Sequence, residues 1–192
     1  MSTGRVAFLV ATEGIEEVEL TEPWAAVEQA GLTPVLLSTE AGEVQAFDHL
    51  DKAGTYRVDE VVAQADPEGF DALVLPGGVA NPDALRTDAD AVAFVRAFLQ
   101  SRRPVAAVCH APWVLTETGE LQGRRLTSWP SLRTDLLNAG AEWVDEEVVV
   151  DASGAGPLIT SRNPGDLPAF CAALLEALRA DPADLVETQQ QQ

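Results

Sequence analysis

The chain contains the stretch Val105-Ala106-Ala107-Val108-Cys109-His110-Ala111-Pro112-Trp113, in which a short apolar run leads directly into a helix-like segment. A strand that turns sharply into a helix projects its junction residue outward and points the first helix amides at it. These amides favour a thiolate, so the stretch predicts a reactive thiol at Cys109, with a packed structural thiol as the alternative. His110 could accept the thiol proton or pair with the thiolate as an imidazolium; if its side chain diverges, it is a polar residue at the rim of the cleft. Such a turn needs small residues on both sides, and Ala107 and Ala111 meet that need.

Short apolar runs recur along the chain, and most are continuous rather than alternating. They are Val6 to Val10, Val35 to Leu37, Ala72 to Leu75, Val105 to Val108 and Val148 to Val150. Continuous runs indicate strands that are covered on both faces, as in a parallel sheet. The helix-like stretches between them are Pro23 to Ala30, Ala89 to Gln100, Trp113 to Thr118 and Leu167 to Leu178. This alternation predicts a doubly wound α/β sandwich, with a small hairpin or edge strand near Glu43 to Gln45 and Arg57-Val58.

Three segments are expected to meet at the carboxyl ends of the strands, where such sheets bind ligands. They are the loop Thr12 to Glu19, the turn Pro76-Gly77-Gly78 and the turn at Cys109. Glycine leaves backbone amides unshielded, so Gly77 and Gly78 could stabilise an oxyanion, although turns use this sequence widely.

The acidic segment Glu16-Glu17-Val18-Glu19 lies where a loop is expected to meet a helix. If the segment is helical, Glu16 and Glu19 share a face and Glu17 points elsewhere. A carboxyl buried beside a thiol is expected to stay protonated and to donate a hydrogen bond to the sulfur. The simpler alternative is that the acidic residues complement the dipole at the helix start.

The remaining histidine and cysteine are expected to be structural. His49 lies in a polar stretch that is typical of a surface loop, and Cys171 lies among apolar residues of a predicted helix. The two His and two Cys lack the paired spacing of a zinc motif, so neither a metal nor another cofactor is predicted.

Length and charge limit the classes of function. A chain of 192 residues without a linker-like segment indicates one domain, expected over residues 1–180, with a frayed tail over residues 181–192. The net charge of -19 argues against a phosphate backbone as a stable partner. The apolar run after Met1 is too short for a signal peptide or membrane span, so a cytoplasmic protein without membrane association is expected.

Four segments together closely resemble the ThiJ/PfpI superfamily, and more narrowly its PfpI branch of intracellular protease I and general stress proteins. They are Leu75-Pro76-Gly77-Gly78, Ala107-Val108-Cys109-His110-Ala111-Pro112, Glu16-Glu17-Val18-Glu19 and Leu126-Thr127-Ser128-Trp129-Pro130. The likeness runs from about Val6 to Leu178. It implies an α/β fold of the flavodoxin-like type, a three-layer α/β/α sandwich with a mainly parallel sheet, similar to class I glutamine amidotransferases.

The resemblance also implies roles for individual residues. Cys109 would be the nucleophile, Glu19 would hydrogen-bond its sulfur, and Glu16 would line the same pocket. The nest that stabilises an oxyanion would consist of the amides of Gly77, Gly78 and His110.

In this branch an acidic residue after Pro-Gly-Gly, supplied by the neighbouring subunit, completes a Cys-His-acid triad. The matching residue is Asp83, which implies a homodimer or a higher homo-oligomer. Two departures from the family pattern bear on this site. The loop that leads from Pro76-Gly77-Gly78 to Asp83 has an added residue, and Ala111 stands where most relatives have Gly. Trp129 matches an aromatic position that flanks the pocket.

Several functions use residues of this kind, and they fall into an enzymatic class and a redox-sensing class. The resemblance implies an enzyme that acts on small aldehydes or on glycated adducts of damaged proteins, or a cysteine peptidase. A redox sensor or stress-protective protein, in which Cys109 is oxidised, would use the same surroundings. A class I glutamine amidotransferase is disfavoured, because no histidine follows His110 to complete its triad.

Overall fold

A computed structural model describes residues 4–180, and these residues form a main sheet of seven strands. The strands are β1 (Arg5–Val10), β3 (Thr33–Ser38), β6 (Glu60–Val61), β7 (Ala72–Leu75), β8 (Val105–Val108), β11 (Val148–Asp151) and β12 (Leu158–Ser161). Their order across the sheet is β11-β12-β8-β7-β1-β3-β6. All neighbouring pairs are parallel except β11 and β12. The predicted mainly parallel α/β sheet is therefore confirmed.

Helices cover both faces of this sheet. They are α1 (Glu17–Gln29), α2 (Ala80–Leu85), α3 (Ala89–Leu99), α4 (Pro112–Leu115), α5 (Arg133–Asn138) and α6 (Leu167–Arg179). On one face α3, α4 and α5 bury Phe98, Leu115 and Leu136 against the strands. On the other face α1 and α6 bury Leu20 and Phe170, which completes three layers.

Two small sheets lie outside the main one. Strand β2 (Glu13–Glu16) pairs with β4 (Glu43–Asp48), and β4 pairs with β5 (Asp51–Arg57) in an antiparallel hairpin. Strands β9 (Arg125–Leu126) and β10 (Glu142–Trp143) form the second pair. The hairpin predicted near Glu43 and Arg57 is thus present, and it is longer than the sequence pattern indicated.

Two predicted local features are wrong, and one strand of the main sheet is missing from the prediction. The segment Thr12 to Glu19 is a strand followed by the first helical turn, because Glu13–Glu16 pairs with β4 and α1 starts before Pro23. The helix predicted from Trp113 to Thr118 begins one residue earlier and ends sooner, since α4 spans Pro112–Leu115. Strand β12 was not predicted, since its two polar residues obscure a fully buried strand.

A buried ion pair joins the end of β11 to the residue that precedes β9. Arg124 binds the carboxylate of Asp151, and its guanidinium also donates to the carbonyl oxygens of Asp151 and Gly156. Within residues 4–180 no helix has the length and apolar character that a membrane-spanning segment requires. The predicted tail over residues 181–192 lies outside the described part of the chain.

Candidate active site

Cys109 follows β8 directly and adopts a left-handed backbone conformation, with a φ of 62°. A non-glycine residue in this region costs on the order of 1–3 kcal/mol. Two hydrogen bonds hold the strained residue: its N–H donates to the carbonyl oxygen of Ser161 at 3.0 Å, and its own carbonyl oxygen accepts from the N–H of Trp129 at 2.8 Å. The turn predicted at Cys109 is present, and it leaves the residue 7% exposed.

The imidazole of His110 turns back toward the thiol. Its Nδ1 lies 3.2 Å from Cys109 Sγ, and its ring stacks on Trp129 with the centroids 5.5 Å apart. The other ring nitrogen, Nε2, lies 3.3 Å from the hydroxyl oxygen of Ser131. Partial burial lowers the pKa of His110 below its ordinary value, so the ring is neutral at neutral pH.

Glu19 is fully buried in the first turn of α1. Its Oε2 accepts a hydrogen bond of 2.9 Å from the N–H of Gly77, whereas Oε1 has no hydrogen-bond partner among residues 4–180. Burial raises the pKa of Glu19 to about 8, and the nearby charge of Glu16 contributes to that rise. This environment therefore favours the protonated Glu19 carboxyl at neutral pH, as expected. The protonated carboxyl can donate a hydrogen bond toward Cys109 Sγ.

The expectation that helix amides keep the Cys109 thiol ionised is wrong for the resting site. Burial raises the pKa of this thiol, and the Glu19 carboxylate, when charged, raises it further. The amides of His110 and Gly78 act in the opposite direction but do not compensate for the lost solvation. A raised pKa favours the protonated thiol at neutral pH, so attack by the sulfur would need a base to remove that proton.

Two glycines allow the segments of the site to approach each other. A Cβ at Gly77 would collide with Glu19 Oε2 and lie 2.8 Å from Cys109 Cβ. Gly78 has a φ of 80°, and a Cβ there would collide with the carbonyl oxygen of Gly14. The N–H of Gly77 is occupied by Glu19. Of the expected nest of three amides, those of Gly78 and His110 therefore remain directed at the sulfur.

Asn81 holds the glycine turn in place, and the sequence pattern did not single it out. This fully buried residue accepts a hydrogen bond from the N–H of Ala11 at 2.7 Å. Its amide nitrogen donates to the carbonyl oxygens of Pro76 and Gly77 at 2.8 and 3.0 Å. It therefore ties the Pro-Gly-Gly turn to the end of β1, which no local sequence pattern would reveal.

The thiol lies in a pocket of about 450 Å³. Its lining residues are Glu13, Gly14, Glu16, Glu19, Phe47, His49, Leu50, Gly78, Val79, Ala80, Cys109, His110, Trp129 and Pro164. The structure thus brings Glu16, Glu19, Cys109, His110 and Trp129 to one cavity, as expected. Asp83 is exposed on α2 and is not among the lining residues.

His49 lies in an exposed turn, in agreement with the predicted surface loop, but this turn also borders the pocket. It lies at the tip of the β4–β5 hairpin, lines the pocket, and approaches Glu16 to 3.5 Å through its Nδ1. Ligand atoms of Glu16, Asp48 and His49 lie within 4.8 Å of one another. Asp48 and His49 are exposed, and exposed groups of this kind are common without an ion, so we assign no metal to them.

Comparisons with known proteins agree with this architecture. A model of the DJ-1/PfpI family matches residues 4–177. The chain is 40% identical over 175 residues to "Putative cysteine protease YraA" of Bacillus subtilis, covering 91% of this chain and 98% of that protein. It is also 40% identical over 176 residues to "Deglycase PH1704" of Pyrococcus horikoshii, covering 91% of this chain and 99% of that protein.

Two solved structures have the same fold. A two-domain protein of Anabaena variabilis, with DJ-1/ThiJ/PfpI-like and ferritin-like domains, has a TM-score of 0.85 and 34% identity over 95% of this chain. The match spans 51% of that longer protein. DJ-1beta of Drosophila melanogaster has a TM-score of 0.81 and 27% identity, covering 98% of both chains. The matched family model and the extent of these similarities lead to one assignment: the chain belongs to the DJ-1/PfpI family.

Proposed function

We propose that this protein is a cysteine-dependent enzyme that acts on small reactive aldehydes and on the adducts they form with amines. The observation that supports this most directly is the position of Cys109, whose Sγ lies 3.2 Å from a neutral imidazole at a strained turn inside a pocket. A neutral base beside a protonated thiol is the arrangement that generates a nucleophile only when a reactive group arrives.

A simple aldehyde such as methylglyoxal illustrates the proposed chemistry. His110 Nδ1 takes the thiol proton, Sγ forms a bond to the aldehyde carbon, and the carbonyl electron pair moves to oxygen. The amides of Gly78 and His110 stabilise that oxygen until it regains the proton as a hemithioacetal. The carbon-bound hydrogen then moves to the neighbouring carbon and the hydroxyl proton moves to the former ketone oxygen, which gives a thioester. Water hydrolyses it to lactate and the free thiol, so the overall reaction adds one water to methylglyoxal.

The pocket has room for more than a free aldehyde. Its volume of about 450 Å³ is within the usual range for sites that hold small molecules. Amine-bound adducts are therefore included in the proposed substrate class. The deglycase name of a relative that is 40% identical supports this choice.

The test is the consumption of methylglyoxal by the wild-type protein, Cys109→Ser and the control Cys171→Ser. Cys171 is half-buried on α6 and is not among the residues that line the pocket, so it should not contribute. We expect steady-state turnover that is lost by at least a hundred-fold in Cys109→Ser and kept in Cys171→Ser. Turnover that survives in Cys109→Ser would refute the proposal. Cleavage of casein without aldehyde turnover would instead identify a peptidase.

A redox sensor is the second candidate, and the surroundings of the sulfur support it. The amides of His110 and Gly78 and the protonated Glu19 carboxyl could stabilise an oxidised sulfur as well as a reaction intermediate. Mass spectrometry after graded peroxide treatment distinguishes the two functions. Stoichiometric sulfinic acid at Cys109 in a protein without turnover on aldehydes or peptides would favour the sensor.

A homo-oligomer remains part of the proposal, because Asp83 could reach the site only from a second copy. Three apolar side chains at the pocket rim support an interface there, since Leu50, Val79 and Trp129 are 94%, 57% and 41% exposed. Analytical ultracentrifugation measures the assembly directly. A monomer with full activity would exclude Asp83 from the site.

A further inference from the structure

The fully buried side chain of Asn81 binds three backbone groups, and these partners fix which way its amide points. Its Oδ1 accepts from the N–H of Ala11 at 2.7 Å, and its Nδ2 donates to the carbonyl oxygens of Pro76 and Gly77 at 2.8 and 3.0 Å. A backbone N–H can only donate and a carbonyl oxygen can only accept. The opposite assignment of the amide oxygen and nitrogen would therefore break all three hydrogen bonds.

These contacts hold two successive peptide planes of the glycine turn. The peptide between Pro76 and Gly77 is bound at both ends, since its oxygen accepts from Asn81 and its N–H donates to Glu19 at 2.9 Å. The next peptide joins Gly77 to Gly78, and its oxygen also accepts from Asn81. In a trans peptide the oxygen and the N–H project to opposite sides of the chain. A fixed direction for the Gly77 oxygen therefore also fixes the direction of the Gly78 N–H.

The Gly78 N–H is directed into the pocket. Gly78 lines the pocket, whereas the buried Asn81 is not among the lining residues. Because the oxygen of the Gly77–Gly78 peptide is turned toward Asn81, the N–H at its other side faces Cys109 Sγ and the Glu19 carboxyl.

The local backbone does not by itself favour this orientation. Neither Gly77 nor Gly78 has a Cβ that would oppose rotation of the peptide between them. Gly78 has a φ of 80°, and a peptide turned over would bring this angle into the negative range that every residue adopts. The hydrogen bond from Asn81 supplies the preference that the two glycines lack.

We propose that Asn81 is a positioning residue for oxyanion stabilisation: its Nδ2 holds the Gly77 oxygen away from the pocket and thereby aims the Gly78 N–H at the place where the oxyanion forms. The catalytic meaning of this contact rests on the proposed function, whereas the orientation of the peptide does not. If the peptide turned over, the Gly77 oxygen would face the developing negative charge and destabilise it. Asn81 acts only through Gly78, since it does not border the pocket.

The test measures the direction of the Gly78 N–H by NMR, as the nuclear Overhauser effect between its amide proton and the Cys109 β protons. Asn81→Asp keeps an acceptor for the Ala11 N–H but replaces the two donated hydrogen bonds with a carboxylate that repels both carbonyl oxygens. Asn81→Ala removes the same donors without adding charge, so it separates the loss of the hydrogen bonds from an electrostatic effect.

Two variants serve as controls. Asn138→Asp makes the same change of charge at an exposed residue at the end of α5. Asp151→Ala breaks a buried ion pair and so destabilises the fold at the other edge of the sheet, because Asp151 pairs with Leu158 at the start of β12.

We expect the Overhauser effect in the wild-type protein and in both controls, and its loss in both Asn81 variants. We also expect kcat for methylglyoxal to fall by about ten-fold or more in the Asn81 variants with KM near the wild-type value, because an oxyanion donor acts on charge that develops after the substrate has bound. An Overhauser effect that persists in either Asn81 variant would overturn the proposal. Its absence in the wild-type protein would do so as well, and that measurement does not depend on any variant folding. A wild-type protein without aldehyde turnover would refute the proposed function, while the Overhauser effect would still decide the role of Asn81.

Discussion

The amide of Gly77 donates a hydrogen bond of 2.9 Å to the Oε2 atom of Glu19, and this contact joins the glycine turn to α1. The same glycine lies against the Cys109 side chain, since a Cβ placed on it would be 2.8 Å from Cys109 Cβ. The acid and the thiol can therefore share one buried space only because residue 77 has no side chain.

Substitution Gly77→Ala tests this relationship. A methyl group would push Glu19 and Cys109 apart, and overpacking of a dense interior typically costs about 1–3 kcal/mol. We expect that loss in the free energy of unfolding, measured with urea, and a fall of at least ten-fold in the rate of Cys109 alkylation. In the control Gly69→Ala the new Cβ would meet only Arg5 Nη1, at 3.5 Å, so both values should stay near those of the wild-type protein.

Glu19→Gln should change how stability depends on pH. The pKa of Glu19 is raised from 4.5 to about 8 in the folded protein, so the folded state binds this proton more tightly than the unfolded state. Its stabilising contribution is complete below pH 4.5 and is lost as the pH rises through about 8. The free energy of unfolding of the wild-type protein should therefore decline relative to Glu19→Gln over this window.

Urea unfolding at several values between pH 5 and pH 9 measures that difference, and the comparison cancels the titration of groups shared by both proteins, including His110. Glu28→Gln is the matched control, since Glu28 is exposed on the same helix. A constant difference between the wild-type protein and Glu19→Gln across the range would contradict the raised pKa.

The acidic lining of the pocket should exclude anionic reagents. Of the three lining carboxyl groups, Glu19 favours its protonated form, so Glu13 and Glu16 supply the negative charge, and none of the lining residues within the described chain is Lys or Arg. In a Cys171→Ser background we expect iodoacetate to alkylate Cys109 at least ten-fold more slowly than neutral iodoacetamide, after correction with a small free thiol. Glu16→Gln should reduce the ratio of the iodoacetamide rate to the iodoacetate rate several-fold. Glu176 is exposed on α6, so Glu176→Gln should leave this ratio unchanged. Equal ratios in the two variants would remove the electrostatic explanation.

The buried pair of Arg124 and Asp151 should be important for stability. Both side chains are less than a tenth exposed, so Asp151→Ala leaves an uncompensated guanidinium in the interior. Loss of one partner of a buried pair typically costs about 3–5 kcal/mol. Glu68→Ala is the comparison, because it removes an ion pair with Arg103 in which Glu68 is 82% exposed, and such pairs contribute less than about 1 kcal/mol. Chemical denaturation of both variants measures the contrast, and similar losses would be inconsistent with this account.

Local patterns in the sequence determined the strands that are apolar throughout. The runs Ala72 to Leu75 and Val105 to Val108 have the bounds of β7 and β8, because a strand covered on both faces must be continuously apolar. The criterion of a continuously apolar run does not detect Leu158–Ser161, because Thr160 and Ser161 are polar yet fully buried in the sheet. The hydroxyl of Thr160 accepts a hydrogen bond from the N–H of Thr127, a contact with a distant segment that the local pattern does not contain.

The sequence by itself determined the α/β class, the turn at Cys109 and the set of segments that meet at the strand ends, because periodicity and turn chemistry are local properties. Only the tertiary structure decided that Ser131 contacts His110, that the amide of Gly77 donates to Glu19, and that burial raises the pKa of the Cys109 thiol. Each of these depends on the distance between remote segments and on the loss of water around a buried group, and desolvation is set by packing in three dimensions.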